Sequence, residues 1–326
     1  MRAVLCRAFG PFESLALAEL PAPPIAPDSV RVAVHAVGVN FADLLIVQGK
    51  YQEKPALPFS PGFEIAGVVS ELGPGVSGLR VGERVFGIMD HGAYADEAVL
   101  PASRVFPIPE SMDFAEAAGF PVAYGTSHGA LDWRARLQPG ETLLVLGAAG
   151  GVGLTAVEIG KAMGARVIAV AGGPEKLAIA RGQGADHLID YSREDLRRRI
   201  NEVTEGRGPD VVYDPVGGDA FDQCLRSIAW GGRIIVIGFA SGRIPQIPAN
   251  LLLVKNCDAI GFYWGSYRAR NPALVRQSFE ALLGWFAAGK LKPHISHRLP
   301  LADAGKAMAL LAERKATGKV VLTTGR

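Results

Sequence analysis

The sequence predicts an α/β protein in which a doubly wound parallel sheet domain is inserted into a β-rich domain. Three observations carry this. Between residues 141 and 264, short apolar strands alternate with amphipathic stretches of helical length. Residues 1–122 instead hold short strand-like runs broken by "PAPPIAPDS", "GPGVSG" and "PIPE". The chain then closes on one more strand-like run, "KVVLTT", which needs a sheet to join.

The central series starts with "ETLLVLG", an apolar strand that follows Pro139-Gly140, and continues into a helix with Val152, Ala156, Ile159 and Met163 at helical spacing. Strand "ARVIAVAGG" follows, then helix "PEKLAIARGQG", with Pro174 in its first turn and glycine at its end. "DHLIDY", "DVVYDPV", "GRIIVIGF" and "DAIGFYW" read as further strands. Between them, "REDLRRRINEVTEG", "DAFDQCLRSIAW" and "PANLLLVKN" read as helices. Repeated alternation of this kind makes a parallel sheet with helices on both faces. "VRVAVHAVGV", "EIAGVVSELG", "ERVFGI" and "YADEAVL" supply the strands of the first domain. The expected division is 1–122, completed by 266–326, around an inserted domain of 123–265 with a cleft between the two.

With 34 Lys+Arg against 32 Asp+Glu, the net charge of +2 gives no basic footprint for nucleic acid or anionic lipid. The opening "MRAVLCRAFG" does not read as a signal peptide, and nowhere do 18 apolar residues run together, so the expectation is a cytoplasmic protein without a membrane segment. Cys6, Cys224 and Cys257 are odd in number and far apart, which fits neither a disulfide framework nor a metal-binding pair.

The loop "GAAGGVG", residues 147–153, follows a strand and opens a helix. Small residues there let the backbone approach a pyrophosphate, whose charge is met by free N–H groups and the positive helix end. Against G-x-G-x-x-G, Ala148 replaces the first glycine while Gly150 and Gly153 fill the other places, and Ala149, Gly150, Gly151 and Val152 are the expected phosphate contacts. An NAD site usually places an acid at the end of the second strand. Here that place is Ala171-Gly172-Gly173, followed by Lys176 and, beyond the third strand, Tyr191 and Arg193. This set suits the 2′-phosphate of NADPH. Two charge-assisted hydrogen bonds of about 1.5–3 kcal/mol each would give a preference of about a hundredfold or more. The other reading of Lys176 is a solvated helix residue.

Taken together, "GVNFADLLIVQGKY", "LPFSPGFEIAGVV", "RLQPGETLLVLGAAGGVG", "GADHLIDY", "VVYDPVGGDAF", "GGRIIVIGFASG" and "ERKATGKVVL" resemble the zinc-free quinone oxidoreductases of the medium-chain dehydrogenase/reductase family, the zeta-crystallin branch. The resemblance implies a GroES-like β domain around a Rossmann-type nucleotide domain, NADPH as cofactor, and a homodimer. Zinc-dependent relatives carry Cys at the position of Asn40 and His at that of Phe63, so two metal-ligand positions hold residues that do not bind zinc. Asp43 and Glu64 read as structural hydrogen-bonding residues. No metal site is expected, and the developing charge on the substrate oxygen must be met by hydrogen-bond donors.

By this resemblance Asn40 lies near the nicotinamide with an amide N–H to offer. Tyr51 and Tyr124 are the other candidate donors or stacking surfaces; the alternative for each is a tyrosine packed at a domain edge. Gly238-Phe239 and the "GFYWG" segment with Phe262 run beside the nicotinamide, and Arg314 lies near the adenosine phosphate with Lys176 and Tyr191. Asp214 and Pro215 read as loop structure first. Leu45 and Val47 stand where bacterial quinone reductases of the family carry an aromatic and a basic residue, which implies a less polar acceptor pocket. The expected activity is metal-free reduction of a quinone in the interdomain cleft. The alternatives are reduction of an activated C=C bond in an enone, 2-alkenal or enoyl thioester, or an NADPH-binding structural or RNA-binding protein.

Overall fold

The computed structural model describes residues 1–326. They form two compact units, Met1–Val122 with Pro293–Arg326, and Ala123–Lys292.

In the second unit six parallel strands lie side by side. In chain order they are Thr142–Leu146, Arg166–Ala171, His187–Asp190, Val211–Asp214, Arg233–Val236 and Asp258–Gly261. Across the sheet the order is third, second, first, fourth, fifth, sixth. This Rossmann order reverses direction between the first and fourth strands, and ligands of such sheets bind beyond the strand ends at that reversal. Covering of both faces explains the unbroken apolar strands: all five residues of Thr142–Leu146 are buried. The helix Gly151–Ala162 is likewise buried throughout residues 153–160, more completely than a single apolar face requires. Leu144, Ile168, Val170, Val212, Phe221 and Ile234 stand at the centre of the core.

Residues 266–292, expected with the β-rich domain, belong instead to the second unit. The long helix Pro272–Ala287 packs there: Phe279 meets the edge of Trp264 with ring centroids 6.2 Å apart, and buried Ser278 bonds His128 Nδ1 at 2.9 Å. An amphipathic pattern reveals that a helix has a buried face, but not which core receives it.

The first unit is built on the eleven-residue strand Ser29–Val39. It pairs antiparallel with Glu64–Leu72, Glu97–Pro101 and Lys319–Thr323 within a seven-stranded sheet. A separate hairpin joins Arg2–Leu5 to Ala16–Glu19. The last strand runs parallel to Ile295–Pro300, and the helix Ala304–Ala312 makes the crossover between them. Its register sets Val320 opposite Val39, which brings Lys319 beside Asn40. No helix is long and apolar enough to cross a membrane.

Candidate active site

Within the sheet unit, the glycine loop leaves the first strand at Gly147, whose φ of 58° lies in the left-handed region. The tight turn is therefore made one residue before the place that Ala148 occupies in the fingerprint; Ala148 itself is buried and bonds Val170 O through its N–H. Gly150 caps the helix Gly151–Ala162, and the half-buried Gly151 and Val152 form its first turn. First-turn N–H groups have no partner inside a helix. A Cβ on Gly153 would lie 2.1 Å from Gly147 O, so only glycine lets the helix sit this close beneath the turn. This narrow cradle with outward N–H groups suits a dinucleotide pyrophosphate.

Beyond the second strand, Gly172 lies against the Tyr191 ring; an added Cβ would come within 3.3 Å of the phenol. Tyr191 is exposed and Lys176 half-buried in the first turn of the helix Pro174–Gly182. Sequence reading missed Asp190, which ends the third strand beside this place. Its Oδ1 accepts from Gly173 N–H at 3.0 Å, Ser192 N–H at 3.0 Å and Ser192 Oγ at 2.5 Å. The Ser192 hydroxyl, with the Gly173 N–H, holds the Asp190 carboxyl below its ordinary range. Three donors saturate this oxygen, so Asp190 braces the loop. Arg314 belongs to the other unit, exposed just past the helix Ala304–Ala312 with φ 57°.

At the ends of the fourth and fifth strands, Asp214 Oδ1 accepts the N–H groups of Val216 and Gly217 at 2.7 and 2.8 Å. Burial raises its carboxyl to about 6, and Oδ2 has no partner. Gly238 bonds Asp214 O and Phe239 stands partly exposed beside Gly217. The Phe262 ring is buried over Gly129 among Trp133 and Tyr267.

Tyr124 is corrected by the structure as a substrate donor. It is 1% exposed, and its hydroxyl donates to Glu158 Oε2 at 2.5 Å. Glu158, another residue sequence reading passed over, lies on the glycine-loop helix; its Oε1 accepts the Lys292 N–H at 2.6 Å, and burial raises its carboxyl to about 7. The signal was present: an acid between Val157 and Ile159 in a helix whose only other polar residues are Thr155 and Lys161.

In the β-rich unit, Asn40 precedes the helix Phe41–Val47 and is 8% exposed. Its backbone N–H donates to Asp43 Oδ2 at 2.7 Å, and its side-chain Nδ2 donates to Glu64 Oε1 at 2.8 Å. Lys319 Nζ reaches Asn40 Oδ1 at 2.6 Å, Glu64 Oε1 at 2.8 Å and Val39 O at 3.0 Å. The Glu64 Oε2 accepts Val122 N–H at 2.7 Å. Gly38 makes room for this carboxylate, since a Cβ there would lie 2.2 Å from Oε1. Asp43 is wholly buried; burial raises it to about 7, Tyr94 Oη donates to it at 3.1 Å, and its Oδ1 is unpartnered. Tyr51 is half-buried with its ring centroid 5.6 Å from that of Phe63. Leu45 is half-buried, and Val47 is fully enclosed in the core.

Zinc does not fit this set. A catalytic zinc takes three Cys, His or carboxylate ligands; here the two ligand positions are an amide and a phenyl ring, Glu64 is paired with an ammonium, and no three His, Cys, Asp or Glu side chains gather anywhere.

The dehydrogenase class follows from fold and site together. Residues 151–287 match the zinc-binding dehydrogenase model, and residues 26–110 match the alcohol dehydrogenase GroES-like domain. The chain is 49% identical over 298 residues to quinone oxidoreductase-like protein 2 homolog of Nematostella vectensis, covering 90% of this chain and 81% of that one. It is 36% identical to a quinone oxidoreductase of Pseudomonas aeruginosa, covering 91% of each. The Escherichia coli quinone oxidoreductase, solved in complex with NADPH, superposes with a TM-score of 0.92 at 30% identity, over 99% of this chain and 100% of that one. The chain belongs to the quinone oxidoreductase family of medium-chain dehydrogenases/reductases.

Proposed function

We propose that the chain is an NADPH-dependent oxidoreductase that reduces a quinone without a metal. The carrying observation is the Asn40 site, where amide and ammonium groups occupy the place of a zinc-ligand set. In this reading the N–H groups of Ala149, Gly150, Gly151 and Val152 hold the pyrophosphate. Lys176, Tyr191, Gly172 and Arg314 receive the 2′-phosphate and adenosine. Gly238, Phe239 and the segment of Phe262 border the nicotinamide. Bound NADPH supplies a hydride, and with one proton from solvent a quinone becomes the hydroquinone. Asn40 donates an N–H to the oxygen that gains charge, and Tyr51 offers a stacking face or a second donor. Such donors stabilise the transition state where charge develops.

The test is NADPH consumption by the purified protein across a panel of quinones. Turnover above the quinone-free rate is expected; no acceleration by any member would overturn the reading. The half-buried apolar Leu45 favours a second reading, reduction of an enone, 2-alkenal or enoyl thioester. A product reduced at its β-carbon, with quinones inert, would establish it.

Cofactor choice gives an independent measurement. Lys176→Ala is expected to weaken NADPH about 10- to 100-fold by titration calorimetry while leaving NADH nearly unchanged, the loss of one charge-assisted bond. Equal loss for both would misplace the phosphate. The proposed homodimer forms through the edge strand Asp258–Gly261, preceded by the exposed Ile244, Ile247, Leu253 and Val254. Light scattering should report a dimer that Leu253→Glu shifts to monomer; a parent monomer would refute it.

A further inference from the structure

Lys319 and Glu64 form a buried ion pair, with side-chain exposures of 6% and 0%. Burying such a pair is a poor route to stability, because desolvation offsets the Coulomb gain. Its geometry points elsewhere. An ammonium has three N–H groups, and Lys319 directs them at Val39 O, Asn40 Oδ1 and Glu64 Oε1. The Asn40 amide therefore has one possible orientation, with oxygen toward the cation and nitrogen toward the carboxylate. Its Nδ2 carries two hydrogens and Glu64 takes one.

We propose that Lys319 is a positioning residue for the reduction: its ammonium locks and polarises the Asn40 amide so that the remaining N–H is the donor to the acceptor oxygen. A cation at an amide oxygen draws electron density from the nitrogen and strengthens its N–H as a donor, as linked hydrogen bonds do in a low-dielectric interior. The positive charge that zinc would place at the substrate oxygen acts here through one intervening amide. The inference rests on the reading of Asn40 as that donor.

The test compares kcat, KM and NADPH affinity for Asn40→Ala, Lys319→Met and the double variant Asn40→Ala/Lys319→Met. Asn40→Ala is expected to lower kcat about 100-fold, the scale for removing one oxyanion donor. Lys319→Met should lower it nearly as much, the double variant no further, and NADPH affinity should change less than about threefold. Should Lys319→Met fail to fold, Lys319→Met/Glu64→Gln removes both charges of the pair and should show the same loss in kcat. Losses that multiply in the double variant, or a folded Lys319→Met/Glu64→Gln with the parent's kcat, would overturn the role of Lys319. Full activity of Asn40→Ala would instead sink the reading of Asn40 on which it rests.

Discussion

Glu158→Gln is expected to melt several degrees above the parent at about pH 8 and to track it near pH 5. Burial raises the Glu158 carboxyl from 4.5 to about 7. The folded chain therefore keeps this proton over a range where the unfolded chain has released it. Stability from this group is full below about pH 4.5 and is lost as pH climbs through about 7. A shift of this size corresponds to about 3 kcal/mol, at 1.36 kcal/mol per unit. Glutamine retains both contacts, its carbonyl accepting Lys292 N–H and its amide facing the Tyr124 oxygen, without a charge to bury. Asp43 and Asp214, also raised by burial, leave the variant some pH dependence of the same sign. Thermal melts at several pH values decide the matter; parallel curves for variant and parent would show that Glu158 does not titrate as its burial dictates.

Gly153→Ala and Gly150→Ala are expected to separate stability from cofactor binding. The fingerprint gives both glycines equal weight, but their surroundings differ. A Cβ on Gly153 meets the Gly147 carbonyl at 2.1 Å and backbone carbon at 2.8 Å, so helix and turn must part. Overpacking of this kind costs about 1–3 kcal/mol, and the displaced turn should also lose about 10- to 100-fold in NADPH affinity. At Gly150 the nearest atom is Gly147 O at 3.3 Å and φ is −81°, which alanine adopts freely. Gly150→Ala should melt within about 0.5 kcal/mol of the parent and still bind NADPH poorly, because the methyl group occupies the space where the pyrophosphate approaches. Melting curves and calorimetry on the two variants test this; equal destabilisation would contradict it.

Much of the geometry proposed to hold the nucleotide was legible because its signals are local. Strand, turn and helix follow one another in "LLVLGAAGGVG", and the glycines sit where the backbone must bend or pack closely. Gly172 and Lys176 could be found by counting from the loop. Tyr124 could not be placed this way, since an aromatic in a helix carries no mark of whether its hydroxyl meets solvent or a buried acid. The helix Pro272–Ala287 lies in the stretch expected with the β-rich domain and packs in the other unit for a related reason: periodicity defines a face, not its neighbour.

By itself the sequence determined the alternating sheet, the inserted order of the two domains, the glycine cradle and the loss of the zinc-ligand set at Asn40 and Phe63. The first three depend on residue type and short spacing; the last is read from the resemblance to zinc-dependent relatives. Only the tertiary structure decided that Glu158 is a buried acid held by Tyr124, that Asp190 Oδ1 is saturated by Gly173 and Ser192, and that Lys319 stands against Asn40. The last contact joins residues 279 positions apart through the register of an antiparallel strand pair. A single lysine in "TGKVVL" looks like any solvated strand-end cation until that pairing removes it from water and gives each of its three N–H groups an acceptor.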